Sequence, residues 1–289
     1  METLTIQSDE LEVVVLPSEG ARLHRLRAFG HDLLRTPADP AVHRTDPYFW
    51  GAYVMAPWCN RLEAVPVRVG GRTIDLPANF PDGSAIHGQL VLASWSIEGD
   101  GRLRVRGGGA GWPWPYEATL DVAVAGPRLR LVLELTNRSD EPMPAGLGLH
   151  PWFVEPVRVA VRADRVYTSN LGPPGPPEPV AGAYDLRRLG EMALGLDAAW
   201  TSLTEPPVEL VWPQAGLRAT IATEGTARCI VAARLPSVPA VAVEPETHAP
   251  QGLRRLLEGL PDPLTLIGPG EPLRLVVELA VARAAAEGR

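Results

Sequence analysis

Two stretches of this chain carry side chains suited to moving protons. The first is Gly148-Leu149-His150-Pro151-Trp152-Phe153, which follows a long alternating segment and the turn Asn137-Arg138-Ser139-Asp140. A histidine at a strand end, fixed by the proline after it and walled by aromatics, suits a proton donor in a carbohydrate cleft. The second stretch is Val243-Glu244-Pro245-Glu246-Thr247, preceded by the apolar Ala240-Val241-Ala242-Val243. That run makes Glu244 an inward-facing carboxylate at a strand end. Partial burial would raise its proton affinity toward neutrality. Together the two predict general acid–base chemistry. Each also has a plainer reading: His150 as a buried histidine bonded to a carbonyl, Glu244 as a solvated carboxylate capping a turn.

Positioning such a pair falls to β-strands, because period-two alternation recurs along the chain and helical spacing hardly appears. Leu11 to Leu16 and Ala21 to Phe29 read as the first strands, turning at Ser18-Glu19-Gly20. Val65 to Val69 and Arg72 to Leu76 flank Gly70-Gly71 as a tight hairpin. Two more hairpins are expected around Asp100-Gly101 and Gly126-Pro127. In Arg128-Leu129-Arg130-Leu131-Val132-Leu133-Glu134-Leu135 the alternation predicts one partly solvated face. Val208 to Trp212, Leu217 to Thr223, Cys229 to Ala233, Val241 to Val243 and Leu273 to Val281 continue the pattern. The convincing helical window is Gln251 to Leu260, with Leu253, Leu256, Leu257 and Leu260 as a packing stripe. The run Gly172-Pro173-Pro174-Gly175-Pro176-Pro177-Glu178-Pro179 cannot enter a central strand. Strands flank it on both sides, which favours a surface loop over an interdomain linker. The expectation is one all-β domain over residues 1–289, a large antiparallel β-sandwich with few short helices.

Composition narrows the function classes. The chain has 289 residues, 45% of them hydrophobic and 21% charged, which suits a soluble globule with a sizeable core. Its 31 prolines and 28 glycines favour many turns over long helices. A net charge of −7 argues against a nucleic-acid surface or an anionic membrane. No apolar run approaches the roughly eighteen residues that a spanning helix needs. The N-terminus lacks a basic region followed by an apolar one. With Cys59 and Cys229 outside any CxxC spacing, free thiols are favoured over a bridge, and a cytoplasmic location is expected. Gly107-Gly108-Gly109 leads into no helix carrying Lys-Ser/Thr, so a phosphate cradle is not expected. His248 invites a metal reading with Glu246, but such a site needs more ligands, and none is expected.

Five landmarks in order, from about Gly51 onward, resemble the aldose 1-epimerase (galactose mutarotase) family of the galactose mutarotase-like β-sandwich superfamily. Cys59-Asn60-Arg61-Leu62 resembles the family's Asn-Arg-Ile segment. Asn79 followed by Ile86-His87-Gly88 resembles its Asn and then Leu-His-Gly-Gly. His150-Pro151-Trp152-Phe153 resembles His-Pro-Tyr-Phe, Leu196-Asp197 a Leu-Asp pair, and Glu244-Pro245-Glu246-Thr247 the family's Glu-Pro-Gln-Thr.

The resemblance implies mutarotation of a monosaccharide: a base removes the proton of the anomeric hydroxyl while an acid protonates the ring oxygen. The ring opens, the bond between the first two carbons rotates, and reclosure gives the other anomer. No cofactor or metal is implied. By resemblance Glu244 is the base and His150 the acid. His87, Arg61 and Asp197 hold hydroxyls and the ring oxygen, Arg61 steadies developing negative charge, and Asn60 adds hydrogen bonds. Among the tryptophans, Trp152 is the candidate to stack on an apolar sugar face.

Several bland readings stay open beside these. Arg61 can pair with Glu63 or another surface acid, His87 can be a turn histidine, and Asp197 can begin a turn. The chain also departs from the family's pattern. Gln89 stands where many members have a second glycine, Trp152 replaces a tyrosine and Glu246 replaces a glutamine. The 47-residue intervals from His150 to Asp197 and from Asp197 to Glu244 are short for the family, so trimmed loops are expected around the cleft. A hexose-6-phosphate epimerase on the same fold is the sister expectation, with Arg22, Arg25 and Arg27 as phosphate candidates sharing one face. A non-catalytic carbohydrate-binding protein is the third. Either a monomer or a homodimer fits.

Overall fold

The computed structural model of the chain describes residues 2–170 and 172–284. It is 52% strand and 6% helix, an all-β architecture in which the expected few short helices are Val42–Thr45 and Gly252–Glu258. One 17-stranded antiparallel sheet holds most of the chain. It curls so that two layers face each other. The first runs through Arg22–Ala28, Ala52–Met55, Gly148–Val154, Ala240–Glu246 and Cys229–Ala233, each paired with the next. The second runs through Arg102–Gly109, Trp112–Ala125, Arg128–Asn137, Pro272–Arg283 and Leu217–Ala222. The long strand Asp197–Trp212 joins them: Asp197 to Thr201 pair with Cys229–Ala233, and Val208 to Trp212 with Leu217–Ala222.

The core lies between the layers, where the apolar half of each alternation meets. Leu129, Leu131, Leu133 and Leu135 point inward, as do Leu275, Val277 and Leu279 of the neighbouring strand. Opposite them lie Val54, Leu149, Phe153, Val241 and Val243. Each such side chain contributes about 1.5–3 kcal/mol when fully buried. This packing fixes which face of the first layer turns outward.

The expected hairpins form at Gly70-Gly71, Asp100-Gly101 and Gly126-Pro127. Two expectations need correction. His150 and Glu244 do not sit at strand ends, because Gly148–Val154 and Ala240–Glu246 continue through Pro151 and Pro245. Each proline removes one ladder donor. Pairing on both sides holds these strands together regardless. The helix is Gly252–Glu258, and Leu257 is 49% exposed, so only part of the expected stripe packs. The proline-rich run stays at the margin: Glu178–Pro179 adds a two-residue edge pair, and Arg255 Nη2 donates to the Gly175 carbonyl (3.1 Å). Cys59 and Cys229 are both free and buried.

Candidate active site

Strand alternation places chemistry on the outer face of the first layer. Gly148, His150 and Trp152 share that face of one strand, while Leu149 and Phe153 enter the core. On the adjacent strand Ala240, Ala242, Glu244 and Glu246 alternate against the core residues Val241 and Val243. The registers Gly148↔Glu246 and Trp152↔Ala242 bring His150 beside Glu244. Asp197 joins from the long strand, in register with Ala233. A cleft of about 430 Å³, counting the space at its mouth, opens over this row. All seven residues singled out from sequence line it: Asn60, Arg61, His87, His150, Trp152, Asp197 and Glu244.

At its floor His150 Nε2 lies 3.2 Å from Glu244 Oε1. The imidazole stacks on Tyr53 (4.5 Å between centroids) and meets the His87 ring edge-on at 5.1 Å. His150 Nδ1 and Glu244 Oε2 have no hydrogen-bond partner among the described residues. Burial, first of all, pushes the His150 imidazole well below its ordinary range. Burial likewise pushes the Glu244 carboxyl well up, reinforced by Glu246 and Asp197, while the Arg61 charge pulls it back. Burial disfavours the charged form of each partner, which favours passing a single proton between them.

Asn60 and His87 brace each other. The Asn60 N–H donates to His87 Nδ1 (3.2 Å), and the His87 N–H donates to the Asn60 carbonyl (3.0 Å). The ring proton of His87 therefore sits on Nε2, and burial lowers its pKa to about 3, so it remains a neutral donor. Both residues adopt positive φ, 55° and 61°. Gly88 follows at φ 80°, where a Cβ would come within 2.1 Å of the Ala56 carbonyl oxygen. That close approach accounts for the glycine of the His-Gly step. Gln89 spans away from the cleft instead, accepting from Tyr116 OH and donating to the Ala110 carbonyl.

Arg61 pairs with Asp82 rather than Glu63: Nε donates to Oδ2 at 2.7 Å, and its guanidinium lies over the Phe80 ring. Glu63 instead accepts from Arg254. Asn170 Nδ2 donates to Asp197 Oδ1, and burial raises the Asp197 pKa against Arg61 and this hydrogen bond. Trp152 is only 2% exposed, and its Nε1 donates to the Tyr48 carbonyl (2.7 Å). It forms a wall of the cleft more than a free platform. Tyr48 and Phe80, 5.6 Å apart, are the other aromatic walls.

Arg22, Arg25 and Arg27 do not form the expected one-faced cluster. Arg22 is fully buried, donating to the Trp50 and Pro47 carbonyls, whereas Arg25 pairs with Asp32 on the outside. The spacing of three from Arg22 to Arg25 puts them on opposite faces of a strand. Tyr53, Asp82 and Glu246 escaped the sequence reading as parts of the site. Ala52–Met55 is buried on both faces and shows no alternation to mark Tyr53. Asp82 lies in the loop before Ser84–Ile86, and only the pairing Arg61↔Ile86 brings it within reach.

A family model described as aldose 1-epimerase matches residues 2–171. The match takes in Asn60, Arg61, His87, His150 and Trp152, with Asp197 and Glu244 beyond it. No curated protein sequence matches the chain. Among solved structures, a candidate aldose 1-epimerase from Escherichia coli K12 superposes with TM-score 0.83 at 20% identity, covering 98% of this chain and 99% of that one. A GalM/aldose epimerase homologue from C. elegans does so with TM-score 0.83 at 17% identity, with the same coverage of both. A galactose mutarotase-like protein from Clostridium acetobutylicum gives 0.81 at 17% identity, covering 97% and 95%. At such identities the likeness is one of fold. Among the described residues no helix is long and apolar enough to cross a membrane.

Proposed function

The chain belongs to the aldose 1-epimerase family, and from that premise we propose that it interconverts the α and β anomers of a free aldose. Glu244 takes the proton of the anomeric hydroxyl and His150 delivers one to the ring oxygen. The observation that carries this reading is the contact between His150 Nε2 and Glu244 Oε1, 3.2 Å apart at the floor of a cleft lined by hydrogen-bonding groups.

A bound sugar presents O1 to Glu244 and O5 to His150 from the cleft. As O1 loses its proton to Glu244 and O5 gains one from His150, the C1–O5 bond breaks and C1 becomes a carbonyl. Rotation about C1–C2 and the reverse transfers close the ring on the other face. Each side chain ends as it began, so no net proton is consumed. Arg61, whose charge already favours the Glu244 anion, also steadies charge at O1. The neutral Nε2–H of His87, the Asn60 amide and the Asp197 carboxyl hold hydroxyls, and Tyr48, Phe80 and Trp152 face the apolar side of the ring.

A free sugar fits better than a sugar phosphate. Arg61 is the single arginine among the described residues lining the cleft, and it is already bound to Asp82. A phosphate would need more than that. Polarimetry on freshly dissolved single anomers tests the reading: the protein should speed mutarotation of at least one free aldose, and hexose 6-phosphates should neither react faster nor compete. Acceleration confined to phosphates would move the assignment to the sister activity, and binding without acceleration would make the protein a carbohydrate-binding module.

A further inference from the structure

Glu246 is fully buried, and neither carboxyl oxygen has a hydrogen-bond partner among the described residues. Leaving such a group ionised and unpaired is costly. It lies two residues from Glu244 on the same face, about 6.6 Å along the strand, opposite Gly148 and Cys229. A Cβ on Gly148 would lie 3.2 Å from Glu246 Cγ and 2.7 Å from Cys59 Sγ, so the glycine makes the space that the carboxyl occupies. The ionisable groups whose charge bears on it are Glu244, Asp197, Tyr53, Cys59 and Cys229, and none of these is a cation. Of the neighbouring imidazoles, His150 is turned to Glu244 Oε1, and His248 is spent on the Cys59 N–H and the Ala249 carbonyl. On the other side of the gap, Glu244 Oε2 is an acceptor with no donor.

We infer that Glu246 is a proton-holding positioning residue: its carboxylic O–H reaches the free Oε2 of Glu244 and fixes the base with Oε1 toward His150. Burial and the Asp197 charge both hold the Glu246 proton on. A donor on Oε2 also offsets part of the rise that burial imposes on Glu244, keeping it usable as an anion. The positioning role rests on Glu244 acting as the base; the protonation of Glu246 stands without it.

The two claims separate experimentally. Infrared spectra of wild type near neutral pH should contain a protonated-carboxyl band that shifts in D2O, persists in Glu244→Gln and disappears in Glu246→Gln. Its survival in Glu246→Gln, or its absence from Glu244→Gln, overturns the inference whatever the enzyme does. In the rate, Glu246→Met should lower kcat roughly tenfold, leave KM unchanged, and move the acid limb of the kcat/KM profile to higher pH. Glu246→Gln, which can still donate, should recover most of that loss. An acid limb moving to lower pH in either variant would mean an ionised Glu246 and overturn the inference. Should Glu246→Met fail to fold, the isosteric Glu246→Gln and the infrared band still decide it. Inactivity of wild type toward every aldose would remove the base reading but not the band.

Discussion

Two buried histidines, His150 within a strand of the first layer and His248 just past the end of its neighbour, use their ring nitrogens in opposite ways. His248 accepts from the Cys59 N–H through Nε2 (3.0 Å) and shares Nδ1 with the Ala249 carbonyl (2.7 Å). Glycines clear its ring on two sides, since a Cβ on Gly146 or Gly252 would lie 2.2 or 2.5 Å from it. His150 has one nitrogen against a carboxyl and the other without a partner, and beyond Glu244 lies the equally unsatisfied Glu246. Burial lowers both imidazole pKa values, to about 4 for His248 and well below the ordinary range for His150. The difference lies in satisfaction. A buried imidazole with every polar atom used fastens loops together. One left with open valences beside open carboxyl oxygens is available to a ligand.

Breaking each side of this contrast should produce different losses. The largest effect is expected at the cleft. Glu244→Gln should reduce kcat for anomerisation by about 10²–10⁴, measured by polarimetry, with an unfolding midpoint no lower than wild type because a buried carboxyl has been made neutral. His248→Ala should do the reverse. It orphans the Cys59 N–H and leaves a cavity, costing about 2–4 kcal/mol in equilibrium denaturation, while kcat of the folded protein stays within about threefold.

A pH series sharpens the same contrast. His248 has a folded pKa depressed to about 4 from an ordinary 6.5. The stability it contributes is therefore present above pH 6.5 and lost as pH falls toward 4, about 3 kcal/mol in all. Glu244 and Glu246 have raised pKa values, so they act in the opposite sense, their contribution draining away as pH rises. Denaturation between pH 7 and 4 should show a steeper acid loss in wild type than in His248→Ala. The smallest effect is expected at the rim: Arg61→Lys should raise KM about threefold to tenfold by losing the Nε–H that engages Asp82.

The sequence disclosed the strands better than the site. Where one face is solvated, as in Arg128–Asn137, alternation marked the strand and its inward residues. Ala52–Met55, buried on both faces, gave no such signal, and Tyr53 beneath His150 went unseen. Motif order brought out Asn60, His87, His150 and Glu244, because each lies in a short run with restricted backbone chemistry. Asp82 needed a strand pairing to reach Arg61. Glu246 was visible as a departure at one position and as a weak metal partner for His248, never as part of this site. Its isolation became evident once registers placed it between Gly148 and Cys229, away from any cation. Arg22 shows the converse, a charge that the sequence offered as a phosphate ligand and the fold buried against backbone carbonyls.

The most direct test of the central claim treats His150 and Glu244 as one proton-sharing unit. Anomerisation rates would be measured by polarimetry for wild type, His150→Asn, Glu244→Gln and the double variant, on the aldose that wild type turns over fastest. The pair predicts that each single change removes about 10²–10⁴ of the rate and that combining them costs little more. Either single variant retaining a rate within twofold of wild type would contradict it, as would losses that multiply in the double variant.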